Sequence, residues 1–266
     1  MQMTFCPLFS GSSGNSTYVE AGDTRILIDA GLTGKAVTEA LASIRVLPES
    51  LNGILITHEH SDHVKAAGIL SRKYRIPIYA NEPTWNAMAK GLGDVHPSLR
   101  RVFNTDSDFF IGEMSVSPFS IPHDAAQPVG YRVFAGGRSV ATATDMGYLH
   151  KEVLKRIAGS DIVLLESNHD PDMLLQNPRY SQTLKNRILG RHGHLSTDMC
   201  AEGIMKLYET GVRHVVLGHL SAENNTPELA LETAVRTCCE HGICVGEELF
   251  IDMAWRDRVG GIYTME

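Results

Sequence analysis

His58-Glu59-His60-Ser61-Asp62-His63 places four side chains able to ligate a metal within six residues, and this stretch constrains the chain more than any other. It follows Leu51-Asn52-Gly53-Ile54-Leu55-Ile56-Thr57, an apolar run bounded by turn residues that reads as a buried strand. A helix-like run, Val64 to Tyr74, comes after it. The six residues are therefore expected on a loop at a strand's carboxyl end, where side chains one and two positions apart can turn toward a shared point. His58 and His60 could hold one ion from the same side, and Asp62 and His63 a second. Imidazole and carboxylate at this spacing suit Zn²⁺, Mn²⁺ or Fe²⁺. The plainer alternative is a polar loop whose histidines cap the following helix.

Other strand-like runs end on the same residue types. Arg25-Ile26-Leu27-Ile28 ends at Asp29, and Met114 to Ile121 ends at Pro122-His123. Ser139 to Thr144 ends at Asp145-Met146-Gly147, and His214-Val215-Val216-Leu217 at Gly218-His219. Taken singly, each is an ordinary strand-end turn residue.

An early Asp, then HxHxDH, then a His, an Asp and a final His resembles the metallo-β-lactamase superfamily over nearly the whole chain. The resemblance implies His58, His60 and His123 as ligands of a first metal. It implies Asp62, His63 and His219 for a second, Asp145 bridging both, and Asp29 as a buried carboxylate supporting the HxHxDH loop. The cofactors implied are two divalent transition-metal ions, Zn or Mn, with Fe possible.

Strand-like runs occur near 2–9, 16–20, 25–29, 53–57, 76–79, 113–120, 129–135, 138–143, 161–165 and 213–217. Helix-like runs occur near 34–44, 63–74, 83–90, 149–158, 180–189, 196–208 and 226–240. The fold class is α/β, and the family resemblance makes it a four-layer αββα sandwich. No linker, repeat or charge block divides the 266 residues, so a single domain over 1–266 is expected. There is no apolar stretch long enough for a membrane span, and the first residues lack the pattern of a signal peptide. Cys6, Cys200, Cys238, Cys239 and Cys244 are an odd count without a CxxC pair. A disulfide framework is not expected, and a reducing cytoplasm suits them.

Three segments point toward phosphodiesters. Ser10-Gly11-Ser12-Ser13-Gly14-Asn15-Ser16 has small residues whose backbone N–H groups can approach an anion, although an ordinary hairpin loop reads the same way. Glu166-Ser167-Asn168 follows the buried run Ile162 to Leu165, and Ser196 in Gly193-His194-Leu195-Ser196 can cap the helix beginning at Thr197. The last two resemble the superfamily's nuclease branch, where a strand-end Glu orients a non-ligand His that protonates the leaving oxygen. With Pro128-Val129-Gly130-Tyr131 and the run His219 to Asn225, they resemble the YycJ/WalJ group, associated with DNA exonuclease activity and repair.

The function this implies is a binuclear-metal phosphodiesterase, a DNA exonuclease, with a metal-bridging hydroxide as nucleophile. Asp62, Glu166 and His194 are its catalytic residues, and Ser12, Ser13, Asn15, Ser196 and Ser221 its substrate contacts. A thioester or lactone hydrolase on the same metals is the alternative, and an RNA-processing nuclease a further one. The stretch from Asp145 to His219 is too short for the large domain inserted in mRNA-processing relatives, and no long Gly/Pro-rich arm of the tRNA-processing kind is present. Net charge, 24 − 31 = −7, has the wrong sign for nonspecific DNA affinity. Arg72-Lys73-Arg75, Arg100-Arg101 and Lys185-Arg187-Arg191 are local basic groups, each readable as a solvated face; the third, beside His194, is the expected backbone track. Delivery by a repair-protein partner would also answer the charge. His169, three residues beyond Glu166, stands out among the remaining histidines.

Overall fold

The structure is a computed structural model describing residues 1–266. Its strands are β1 (Met3–Phe9), β2 (Ser16–Ala21), β3 (Thr24–Ile28), β4 (Gly53–Leu55), β5 (Ile78–Ala80), β6 (Arg100–Val102), β7 (Phe109–Ile111), β8 (Met114–Ser120), β9 (Val129–Ala135), β10 (Arg138–Ala143), β11 (Ile162–Glu166), β12 (His214–Gly218), β13 (Phe250–Met253) and β14 (Tyr263–Met265). The helices are α1 (Gly34–Ser43), α2 (Ser61–Val64), α3 (Ala67–Tyr74), α4 (Glu82–Leu92), α5 (Lys151–Ile157), α6 (Pro171–Gln176), α7 (Gln182–Ile188), α8 (Thr197–Glu209) and α9 (Pro227–Glu240). Two compact units are distinguished: Met1–Ser120 with Ala125–Arg138 and Trp255–Glu266, and Ile121–Asp124 with Ser139–Ala254.

In the first unit a seven-stranded sheet runs in the order β14-β1-β2-β3-β4-β5-β6. Hairpins join β1 to β3; from β3 to β6 the strands are parallel, with helices in the connections, as parallel pairing requires. Leu27, Ile54, Ile56, Leu70, Ile78 and Trp85 belong to one buried cluster between this sheet and its helices. β7, β8 and β9 form an antiparallel meander. In the second unit β10, β11, β12 and β13 are parallel neighbours. β11, Ile-Val-Leu-Leu-Glu, is buried at every position, the continuous apolar run of a strand covered on both faces.

The expected strands and helices are present with end shifts of a few residues. The run expected as one helix over 63–74 is two. α2 begins inside the HxHxDH motif at Ser61, and Ala66 N–H then donates to Ala30 O at 2.7 Å instead of continuing the helical ladder. Asp62 and His63 therefore ride on a helical turn, not an open loop. β6, β7, β13, β14 and α6 lie outside the expected elements. All are short; β6 is exposed at every residue and β13 never fully buried, so neither carries an apolar pattern.

Candidate metal centre

Parallel strands deliver their carboxyl ends to one edge of a sheet, the usual place for a site in α/β folds. In the first unit Asp29 follows β3, and His58 lies just beyond β4. Asp29 has φ 62°, a conformation costly for a non-glycine residue and typical of functional positions. Its buried carboxylate accepts from Thr57 N–H (2.9 Å), Thr57 Oγ1 (2.8 Å) and His63 Nδ1 (2.8 Å). Burial pushes this carboxyl up, opposed by His63 and Thr57. Because a carboxylate only accepts, His63 carries its proton on Nδ1 and presents the Nε2 lone pair. His58 Nε2 and His60 Nδ1 lie 3.1 Å apart, two ring nitrogens aimed at one region. His60 occupies the N-cap position of α2 without a side-chain cap bond, so helix capping does not explain its place.

Asn15, expected as a substrate contact, turns inward and is buried. Its amide donates to Asp62 O and Asp62 Oδ2, both at 3.4 Å, and lies 3.0 Å from His63 Nε2. Backbone bonds repeat the bracing: Asn15 N–H to Asp62 O, Ala30 N–H to His63 O and Gly31 N–H to Asn15 O, each 2.8 Å. A Cβ on Gly31 would fall 1.5 Å from Asp62 O, so only glycine permits this approach. Ser12 and Ser13 are exposed on the turn between β1 and β2.

In the second unit Asp145 follows β10, Glu166 ends β11 and His219 follows β12. Asp145 and His219 also have positive φ, 60° and 55°. Fully buried Glu166 receives four donors. Its Oε1 accepts from His194 Nδ1 (2.7 Å) and His219 Nδ1 (3.0 Å); its Oε2 accepts from Met146 N–H (2.8 Å) and Leu195 N–H (3.2 Å). Burial raises this carboxyl, but His194 and His219 outweigh it and hold it well below the ordinary range. His219 is thereby left with Nε2 as its lone pair, 3.4 Å from Asp145 Oδ1. His123 Nδ1 faces Gly193 O at 3.2 Å, which leaves its Nε2 in the same role, and burial lowers its pKa. Asp145, Glu166, His194 and His219 each offer a ligand atom, all within 4.8 Å of one another. Imidazoles beside carboxylates, with the His63, His123 and His219 rings each held through Nδ1, are a donor set that fits divalent metal.

A match to the family described as "Beta-lactamase superfamily domain" covers residues 24–220. The chain belongs to that superfamily. It is 42% identical over 241 residues to exodeoxyribonuclease WalJ of Streptococcus pneumoniae, covering 90% of this chain and 89% of the relative. It is 38% identical over 247 residues to exodeoxyribonuclease YycJ of Bacillus anthracis, covering 93% of each. Among solved structures, the metallo-β-lactamase fold protein YhfI of Bacillus subtilis superposes with a TM-score of 0.74 at 15% identity over all of both chains. The fold is thus the expected one, two sheets flanked by helices, and no helix is long and apolar enough to cross a membrane.

Within this superfamily member, several residues have duties the sequence did not signal. Asn168 Nδ2 donates to His219 O at 2.8 Å, holding that residue's unusual backbone, and Asn225 Nδ2 donates to Ser167 O at 2.8 Å. Glu59 accepts from Ala126 N–H. Ser196 caps α8 through Met199 N–H, as its place before Thr197 led one to expect, whereas Ser221 Oγ accepts from Asn224 N–H. His169 is buried, neither ring nitrogen meets a protein partner, and burial lowers its pKa to about 4.

The expected basic track is largely occupied. Lys185 is buried and its Nζ donates to Leu175 O at 2.6 Å; Arg187 pairs with Asp124 at 2.6 Å; Arg191 stacks over Tyr148. Elsewhere Arg72 donates to Leu92 O and Arg100 pairs with Glu82. Of the expected track, Lys185 is thus buried against a backbone carbonyl and Arg187 is ion-paired, while Arg191 lies over the Tyr148 ring.

Proposed function

We propose that this protein is a metal-dependent phosphodiesterase that degrades DNA from an end, acting as one domain over residues 1–266. Its proposed ligands are His58, His60 and His123 for one ion, Asp62, His63 and His219 for another, and Asp145 for both, with Zn or Mn the suitable metals. Bound there, two such ions would lower the pKa of a coordinated water and polarise the scissile phosphate. Asp29 and Asn15 orient the HxHxDH turn. Asp62, whose side chain is 23% exposed, accepts a hydrogen bond from the attacking water. Glu166 fixes the His194 ring through Nδ1, and His194 donates its Nε2 proton to the departing sugar oxygen.

One observation carries the reading: the 2.7 Å contact between buried Glu166 and the 23%-exposed His194. A sugar alkoxide is a poor leaving group and needs an acid of this kind. Reactive thioesters and lactones do not, so nothing here favours that alternative. The names of the curated relatives support DNA as substrate. We place the activity in the cytoplasm, with a repair-protein partner delivering DNA to an acidic enzyme. End-labelled single- and double-stranded DNA and RNA, incubated with protein and Mn²⁺ or Zn²⁺, provide the test. Mononucleotides released from DNA ends are the expected product. Internal cuts alone, or cleavage of RNA alone, would overturn the assignment.

A further inference from the structure

The segment after β13 carries a basic and aromatic group that the sequence separates widely from the site: Trp255, Arg256 and Arg258. It is fastened at both ends to the end of β1. Ser10 N–H donates to Trp255 O, and Gly260 N–H to Pro7 O, both at 2.9 Å; Val259 packs on the buried cluster of the first unit. The arginines are exposed. Arg258 lies over the Trp255 ring, 3.8 Å from its centroid. The Arg256 side chain lies on the backbone of Gly11, where an added Cβ would fall 2.9 Å from Arg256 Cγ.

From there the path to the metal ligands is short. Gly11 N–H donates to Asn15 Oδ1 at 2.9 Å, and Asn15 Nδ2 reaches Asp62 Oδ2 at 3.4 Å. One side chain thus links the backbone under Arg256 to a proposed ligand, and exposed Ser12 and Ser13 lie on the same turn. Neither guanidinium is held in an ion pair, unlike Arg187 or Arg100. Asp257 lies between them in sequence, so the group is net positive by one charge in a chain of net charge −7.

Resting on the nuclease reading above, we propose that Trp255, Arg256 and Arg258, with Ser12 and Ser13, form the subsite that holds single-stranded DNA next to the scissile phosphate. The guanidiniums and hydroxyls take backbone phosphates, and the indole stacked with Arg258 takes a base. Aromatic stacking beside cationic side chains grips single strands without reading sequence. This also accounts for an acidic enzyme engaging DNA: the needed positive charge is local and lies on the turn that braces the ligands.

The test uses the metal-loaded full chain, with fluorescein-labelled oligothymidine carrying slowly cleaved phosphorothioate linkages as probe. For Arg256→Gln/Arg258→Gln, the slope of log affinity against log salt should fall by about 1.4, roughly 0.7 per lost single-strand phosphate contact. Trp255→Ala should weaken binding roughly 5- to 150-fold, the scale of one lost base stack, with Trp255→Phe recovering most of it. Hydrolysis of bis-p-nitrophenyl phosphate, too small to reach the subsite, should be unchanged in every variant, which also reports intact folding. An oligouridine arm compares RNA with DNA at the subsite; binding of RNA without binding of DNA would overturn the DNA assignment. Unchanged slope and affinity in variants that still cleave the aryl substrate would overturn the subsite alone. A wild-type protein that cleaves no phosphodiester would instead overturn the nuclease reading beneath it.

Discussion

The two clusters of candidate site residues are built in opposite ways. In the first unit the proposed ligands are contiguous, His58 to His63, and are braced from many directions: Asp29, Thr57, Asn15 and three backbone bonds. In the second unit His123, Asp145, His194 and His219 come from separate strand ends and loops, and one carboxylate, Glu166, joins two of the imidazoles to two backbone amides. A contiguous motif can share its support among neighbours. A dispersed one depends on a hub.

The hub should therefore be the most sensitive position. Glu166→Ala leaves four donors without their acceptor in a fully buried place, and breaking such a buried network costs about 3–5 kcal/mol. Denaturant unfolding should register that loss, and DNA cleavage should fall at least about 10²–10⁴-fold. A mild phenotype here would end the distinction between the two clusters.

His194→Ala separates proton donation from metal holding. About 10²–10⁴-fold loss of DNA cleavage is expected with metal content unchanged. On bis-p-nitrophenyl phosphate, whose leaving group needs little protonation, the loss should be much smaller. Equal losses on both substrates would make His194 a positioning residue.

Asp29→Asn sharpens the contrast from the other side. Loss of one supporting carboxylate typically costs about 10–100-fold in metal affinity, and the shared bracing by Asn15 and the backbone should let added metal restore most of the rate. A titration of activity with Mn²⁺ measures this; failure of excess metal to rescue would place the first cluster on a single support as well.

The contiguous cluster was legible because its spacing is local: residues one and two apart after an apolar run are visible without the fold. The strand-end rule also located Asp29, Asp145, Glu166 and His219, since each follows a buried run. The inward turn of Asn15 was not legible, because a polar residue in a Gly/Ser turn reads as exposed until Gly31 lets Asp62 approach. Ser196 was readable as a cap from its place before α8. Lys185 misled, since a lysine in a basic run gives no sign that its amine will be buried against Leu175 O. Short edge strands such as β6 carried no apolar pattern to read.

The smallest effect is expected at Arg187. Its partner Asp124 already neutralises it in an exposed pair worth about 0–1 kcal/mol, so Arg187→Ala should leave stability and the salt dependence of DNA binding nearly unchanged. A steep loss of salt dependence would return the backbone track to α7.

Metal stoichiometry tests the central claim most directly, because both clusters gain their sense only as ligand sets. Elemental analysis of protein purified without chelator should find about two divalent transition-metal ions per chain, and fewer in Asp145→Ala. One ion per chain, unchanged by Asp145→Ala, would contradict it.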